Sequence, residues 1–185
     1  MDGRLINMRE RLIEVLKERS YRRMRVTLAS GRESDFYVDG KQTTLNAEGA
    51  WLIGNLIVDA LIPEVVGVGG LTMGADPIAA AVAAVSFHRN RPVHAFIVRK
   101  EPKGHGTLQW VEGKGNLPSG SPVCIVEDTC TTGGSLLKAV DRAEADGLRV
   151  VQCLTIVDRE EGAAEALAER GFTLHTLVRR SELES

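Results

Sequence analysis

The sequence predicts an α/β domain with a central, mostly parallel sheet flanked by helices, and three observations predict it. Val- and Ile-rich runs at residues 65–68, 93–98, 123–126 and 150–157 have the length and composition of strands buried on both faces. Helix-like stretches at 75–87, 135–145 and 162–170 fall between or after those runs. Glycine-rich breaks separate strand from helix, as βαβ units require.

Taken in order, Leu5, Met8, Leu12, Val15 and Leu16 recur at helical spacing among Arg and Glu, which predicts an amphipathic opening helix over one edge of the core. Residues 25–28 and 35–38 flank Ser30-Gly31-Arg32-Glu33-Ser34, a turn-rich segment that predicts a hairpin. A helix is expected at 47–61, after which the alternation of strand and helix begins. Residues 101–120 interrupt it: glycines, prolines, Lys103, His105 and Lys114 occur there without periodicity, which predicts a long polar loop.

A length of 185 residues sets the domain count at one, covering 1–185, with enough chain for a substantial core. Hydrophobic residues at 43% and charged residues at 26% exclude a disordered or coiled-coil chain. A net charge of −2 argues against a surface built to hold nucleic acid. Cys124, Cys130 and Cys153 form neither a disulfide framework nor a zinc pattern, so a cytoplasmic setting is expected. The charged opening residues do not read as a signal peptide, and no run reaches the ~18 apolar residues of a membrane span.

The chemistry is concentrated at residues 123–135. An apolar strand delivers Glu127 and Asp128 at its carboxyl end, and Thr129-Cys130-Thr131-Thr132-Gly133-Gly134-Ser135 then opens a helix. Ligands of open α/β sheets bind at such strand ends. Backbone N–H groups, the hydroxyls of Thr131, Thr132 and Ser135, and the helix N-terminus make a cradle for a phosphate monoester. The carboxylates would repel that phosphate, but they suit the 2- and 3-hydroxyls of a ribose a few ångströms away. The plainer alternative is an Asp128 that only caps the helix. A Walker-type loop is disfavoured, because no Gly-Lys-Ser/Thr follows the glycines. Cys130 lies where a helix N-terminus can lower a thiol pKa, although a small packing side chain is the simpler role.

The apolar strand, the acidic pair and Thr131-Thr132-Gly133-Gly134 resemble the phosphoribosyl diphosphate signature of type I phosphoribosyltransferases. Within them, residues 27–37, residues 98–106 and Val157-Asp158-Arg159 resemble the orotate phosphoribosyltransferase family in order and spacing. The resemblance implies the type I fold, with a small N-terminal hood over 1–45 and a mobile catalytic loop over 101–120. It implies transfer of the phosphoribosyl group from 5-phosphoribosyl 1-diphosphate to orotate in pyrimidine (UMP) biosynthesis, with Mg2+ held mainly through the substrate.

Carried onto matching positions, Arg99, Lys100, Lys103 and His105 are the cations expected to grip the diphosphate. Lys103 and His105 are expected to reach a neighbouring subunit's site, which implies a homodimer with shared active sites. Asp128, Lys103 and His105 are the expected catalytic residues. Phe36 and Tyr37 are expected at the orotate ring, or alternatively in the core. Thr131 would orient the base. Arg159 is expected to pair with the orotate carboxylate, the alternative being an ion pair with Glu160 or Glu161.

The turn Gly67-Val68-Gly69-Gly70-Leu71-Thr72-Met73-Gly74 departs from a common family version, which has Tyr-Lys where Thr72-Met73 stand and often Lys at Ala29. Arg32 and Lys41 are among the other cations available to compensate, and the sequence does not show that either does. Two other readings remain at this stage. A purine phosphoribosyltransferase would share the sugar-phosphate motif, although a neutral purine gives Arg159 no carboxylate. A non-catalytic regulator of the same fold would carry a basic face that this chain lacks.

Overall fold

A computed structural model of the chain describes residues 7–27, 33–103 and 109–185. Its elements are α1 (Met8–Arg19), β1 (Tyr21–Thr27), β2 (Glu33–Val38), α2 (Lys41–Thr44), α3 (Ala47–Ala60), β3 (Gly67–Leu71), α4 (Asp76–His88), β4 (His94–Lys103), β5 (Gln109–Glu112), β6 (Pro122–Cys130), α5 (Gly134–Ala145), β7 (Arg149–Asp158), α6 (Ala163–Glu169), β8 (Leu174–Arg179) and α7 (Arg180–Glu184). A 3-10 turn lies at Lys114–Asn116.

Local chemistry sets the helix boundaries. Asn7 caps α1 by accepting the Arg9 N–H at 3.1 Å, and the helix buries Leu12, Val15 and Leu16. Asn46 caps α3 in the same way, accepting the Gly49 N–H at 3.0 Å. The face of α1 agrees with the apolar spacing read from the sequence, Leu5 lying outside the described residues.

β1 and β2 pair antiparallel as a separate two-stranded sheet. The main sheet has the order β5-β4-β3-β6-β7-β8. All its neighbours are parallel except β4 and β5, which are antiparallel. The chain runs outward from β3 to β4 and then crosses back to place β6 on the other side of β3. That reversal opens a crevice beyond the carboxyl ends of β3 and β6, where open α/β sheets bind ligands.

Two hydrophobic clusters cover the sheet. One joins α1, α3 and α4 to Cys124 and Val126 of β6; the other joins α5 and α6 to Val123 and Ile125. Successive β6 side chains thus enter opposite cores, as the two-residue period of a strand demands.

The predicted parallel strands all form, but 65–68 is displaced to Gly67–Leu71. The long loop expected at 101–120 is corrected. Glu101 to Lys103 extend β4, Gln109–Glu112 form the edge strand β5, and only 104–108 lie outside the described residues. The edge strand is too short to show a period, and its fixing contacts are tertiary. The Trp110 and Val111 N–H groups donate to Asp146 Oδ2 at 3.0 and 2.8 Å, while Arg142 lies 4.2 Å from the Trp110 ring centroid. Leu174–Arg179 was not anticipated as a strand, and it closes the other edge as β8.

Candidate active site

The alternation of β6 continues into its acidic end. Asp128 turns toward the segment before α2: a Cβ built on Gly40 would stand 2.9 Å from both Cβ and Oδ2 of Asp128. Glu127 turns toward α5, where the Cys130 thiol and Ser135 hydroxyl favour its charged form. Burial outweighs them and, with the Asp128 charge, pushes the Glu127 carboxyl up to about 7. Burial also raises Asp128, opposed chiefly by the Lys41 charge and by the Thr129 N–H, which donates to Asp128 Oδ1 at 3.0 Å. Adjacent carboxylates thus face different neighbours, a placement suited to two hydroxyls on one ring.

Beyond them the chain turns through Gly133, whose φ of 80° is the left-handed conformation that glycine adopts without strain. The ladder of α5 starts with Leu137 N–H donating to Gly133 O at 2.9 Å, so the first-turn N–H groups open at the helix N-terminus. Thr132, Gly134 and Ser135 are exposed and Thr131 is half-buried. This is a cradle able to hold a phosphate. Two members of the motif face elsewhere. Thr129 Oγ1 is buried without a hydrogen-bond partner among the described residues. Cys130 is buried, and burial pushes its thiol up to about 12, which agrees with the small packing role and not with acidification by the helix N-terminus.

A cavity of about 220 Å³ lies at the crevice, lined by Lys41, Thr72, Met73 and Gly74 as well as Lys100, Glu127, Asp128 and Ser135. A second, of about 430 Å³, shares Thr72 and Lys100 with it and adds Asp76, Arg99 and Glu112. Here Thr72 Oγ1 donates to Asp76 Oδ2 at 2.6 Å. Arg99 pairs with Glu112 at 3.0 Å, and Lys100 is exposed. Lys103 ends β4 by its backbone; its side chain and the whole of His105 lie outside the described residues.

Of the residues expected at the base, Phe36 is 1% exposed and belongs to the core, while Tyr37 is exposed. The Arg159 and Arg180 guanidinium carbons lie 4.2 and 4.0 Å from the Phe36 ring centroid. Arg159 is itself 4% exposed and pairs with Glu161 at 2.9 Å. Its N–H donates to Cys130 O at 2.9 Å, which ties the end of β7 to the end of β6. The ion pair with Glu161 was the alternative weighed for this arginine, but it is buried and lies beside the motif. Sequence reasoning did not assign Asp39, Glu112, Glu161 or Arg180 to the site. Asp39 and Glu161 pair with cations two residues away but belong to no motif, and Glu112 and Arg180 meet Arg99 and Phe36 from distant parts of the sequence, so spacing carries no signal for them.

These features define a class of enzyme that binds a ribose phosphate at the end of a parallel sheet. Residues 54–176 match the family model of the phosphoribosyl transferase domain. The orotate phosphoribosyltransferase of Sorangium cellulosum is 48% identical over 94% of this chain and 92% of its own length. That of Thermosynechococcus vestitus is 45% identical over 100% of this chain and 97% of its own. The Mycobacterium tuberculosis H37Rv orotate phosphoribosyltransferase in complex with 5-phospho-alpha-D-ribosyl 1-diphosphate superposes with a TM-score of 0.78 at 38% identity, covering 96% of this chain and 99% of that one. The chain belongs to the orotate phosphoribosyltransferase branch of the phosphoribosyltransferase family.

Proposed function

We infer that the chain transfers the phosphoribosyl group of 5-phosphoribosyl 1-diphosphate to orotate, giving orotidine 5'-phosphate and diphosphate in pyrimidine biosynthesis. The observation that carries this reading is the desolvated Glu127–Asp128 pair directly before the Thr131–Ser135 cradle at the switch point of the sheet. In this reading the cradle holds the 5-phosphate, and both carboxylates accept hydrogen bonds from the ribose hydroxyls. A ring nitrogen of orotate displaces diphosphate from the anomeric carbon. Orotate is already an anion with a delocalised ring, so the harder task is to stabilise the departing diphosphate. Arg99, Lys100, Lys103 and His105 do so as charge develops, and Asp128 steadies positive character on the ribose ring. In this reading Arg159, which Glu161 and the face of Phe36 hold, takes the orotate carboxylate, and Thr131 orients the base.

Among the described residues, no group of three or more His, Cys, Asp or Glu side chains could hold a metal. The half-buried Glu127 and Asp128 still suit a cation, because a positive charge favours the form that partial burial opposes. Mg2+ held mainly by the donor's own oxygens fits that pair, and when bound it supplies further neutralisation of the diphosphate. A homodimer with shared sites is part of the same reading. Exposed Leu45, Trp51, Met73 and Phe87 offer it apolar surface. The setting proposed is the cytoplasm; among the described residues no helix is long and apolar enough to cross a membrane.

The test is a spectrophotometric assay of orotate consumption with the donor and magnesium, beside Asp128→Ala and Lys103→Ala. Consumption that needs magnesium and drops sharply in both variants supports the reading. An inert wild type that still binds the donor points to another base or to a regulator.

A further inference from the structure

The 220 Å³ cavity that holds Glu127 and Asp128 also receives Lys41, a residue of no recognised motif, from the first turn of α2. Several contacts fix where it starts. Asp39 Oδ1 accepts the Lys41 N–H at 3.2 Å, and Asp39 Oδ2 accepts Gln42 Nε2 at 3.2 Å. Gly40 is buried against the acidic strand end so closely that an added Cβ would lie 2.9 Å from Asp128 Oδ2 and 3.0 Å from Thr129 Oγ1. The turn is therefore pressed onto Asp128, and the lysine beside it must issue at the cavity rim.

The ammonium rests on Asp39 Oδ1 at 2.7 Å, with its side chain 43% exposed. An ion pair this exposed is weak. Its ammonium can exchange Asp39 for a more highly charged oxygen group at little cost. Asp39 by hydrogen bonding, and then Asp128 and Tyr37 by charge, hold Lys41 in its protonated form. The remaining walls show why a cation here matters. Thr72 and Met73 bring no charge, Glu127 and Asp128 repel anions, and among the described lining residues only Lys41 and Lys100 are cationic.

We propose that Lys41 is a binding residue for the diphosphate of the phosphoribosyl donor, contacting it from the α2 side of the cavity. The assignment rests on the donor inferred above. Lys41 screens the diphosphate from the two carboxylates that the ribose requires, so that one cavity can hold both an acidic pair and a strongly anionic ligand.

The test uses the full chain and titrates inorganic diphosphate with magnesium by calorimetry, in the wild type, Lys41→Gln and Lys41→Arg. Lys41→Gln removes the charge and leaves a polar amide one atom shorter than the lysine, Lys41→Arg restores charge and length, and thermal denaturation checks that both fold like the wild type. Diphosphate affinity is expected to fall about tenfold or more in Lys41→Gln, the loss of one charge-assisted hydrogen bond, and to recover largely in Lys41→Arg. Ribose 5-phosphate affinity is expected to stay within about twofold, because its phosphate sits in the α5 cradle. Unchanged diphosphate affinity in Lys41→Gln overturns the proposal, and so does an equal loss for ribose 5-phosphate, which marks a merely structural role. A wild type that binds diphosphate through Lys41 but consumes no orotate overturns the choice of base and leaves this assignment standing. A wild type that binds no diphosphate overturns both.

Discussion

Glu127 and Asp128 stand at the end of β6 between two neighbouring strands, desolvated and close to one another. Three cations around them are held differently, each against a carboxylate of its own: Lys41 on Asp39, Arg99 on Glu112 and Arg159 on Glu161. Burial raises the free energy of the acidic side until a ligand supplies hydroxyl donors and positive charge. Those three are already paired, so an anion arriving at them exchanges one partner for another. The acidic side should therefore show its role in large kinetic effects and in pH-dependent stability, and the cationic side in graded losses of affinity.

The largest effect is expected at Asp128. Asp128→Ala should lower kcat/KM for the donor by roughly a hundredfold or more, since it removes an interaction that strengthens as the ribose gains positive character. A loss under about tenfold in steady-state kinetics would place Asp128 in a packing role. Next comes Arg159→Lys, which should raise the KM for orotate about tenfold, with the donor KM unchanged, because an ammonium cannot reproduce a two-bonded guanidinium–carboxylate contact. A rise in both constants would mean that the variant disturbs the β6–β7 junction instead of the base contact.

Glu127 supplies the pH test. Its folded-state carboxyl lies at about 7 against an ordinary 4.5, so the folded chain binds the proton more tightly than the unfolded one. The stability that this proton contributes is fully present below about 4.5 and is lost as pH rises through about 7. Glu127→Gln should thus match the wild type at low pH and become the more stable of the two above neutrality, by on the order of 2 kcal/mol for a half-buried group. Urea denaturation across pH 5 to 8 without ligands checks it, and a gap that does not grow with pH contradicts the burial argument. The smallest effect is expected for Glu112→Gln, a partly exposed ion-pair partner whose loss should change stability by under about 1 kcal/mol. A larger loss by the same denaturation would show that the edge strand depends on this pair.

The same contrast explains how much of the molecule was legible from sequence. Buried strands such as β6 and β7 announce themselves as Val- and Ile-rich runs, and the acidic pair and its glycine turn are contiguous, so fold class and motif could be read together. β5 could not, because its four residues are fixed by Asp146 and Arg142 of α5 and its C-cap, far along the chain. Phe36 reads as an aromatic near a hairpin; only the fold reveals that it is buried beneath Arg159 and Arg180. Lys41 lies in no motif, and its place beside Asp128 depends on Gly40 meeting the end of a strand almost ninety residues later.

The most direct measurement compares kcat/KM for orotate with those for adenine and hypoxanthine under the same donor and magnesium. Conversion of orotate to orotidine 5'-phosphate at least about a thousandfold more efficiently than either purine is expected, because in the proposed reading the orotate carboxylate replaces Glu161 at Arg159 in a charge-assisted contact that a neutral base cannot make. Purine turnover equal to or above that of orotate would contradict the assignment.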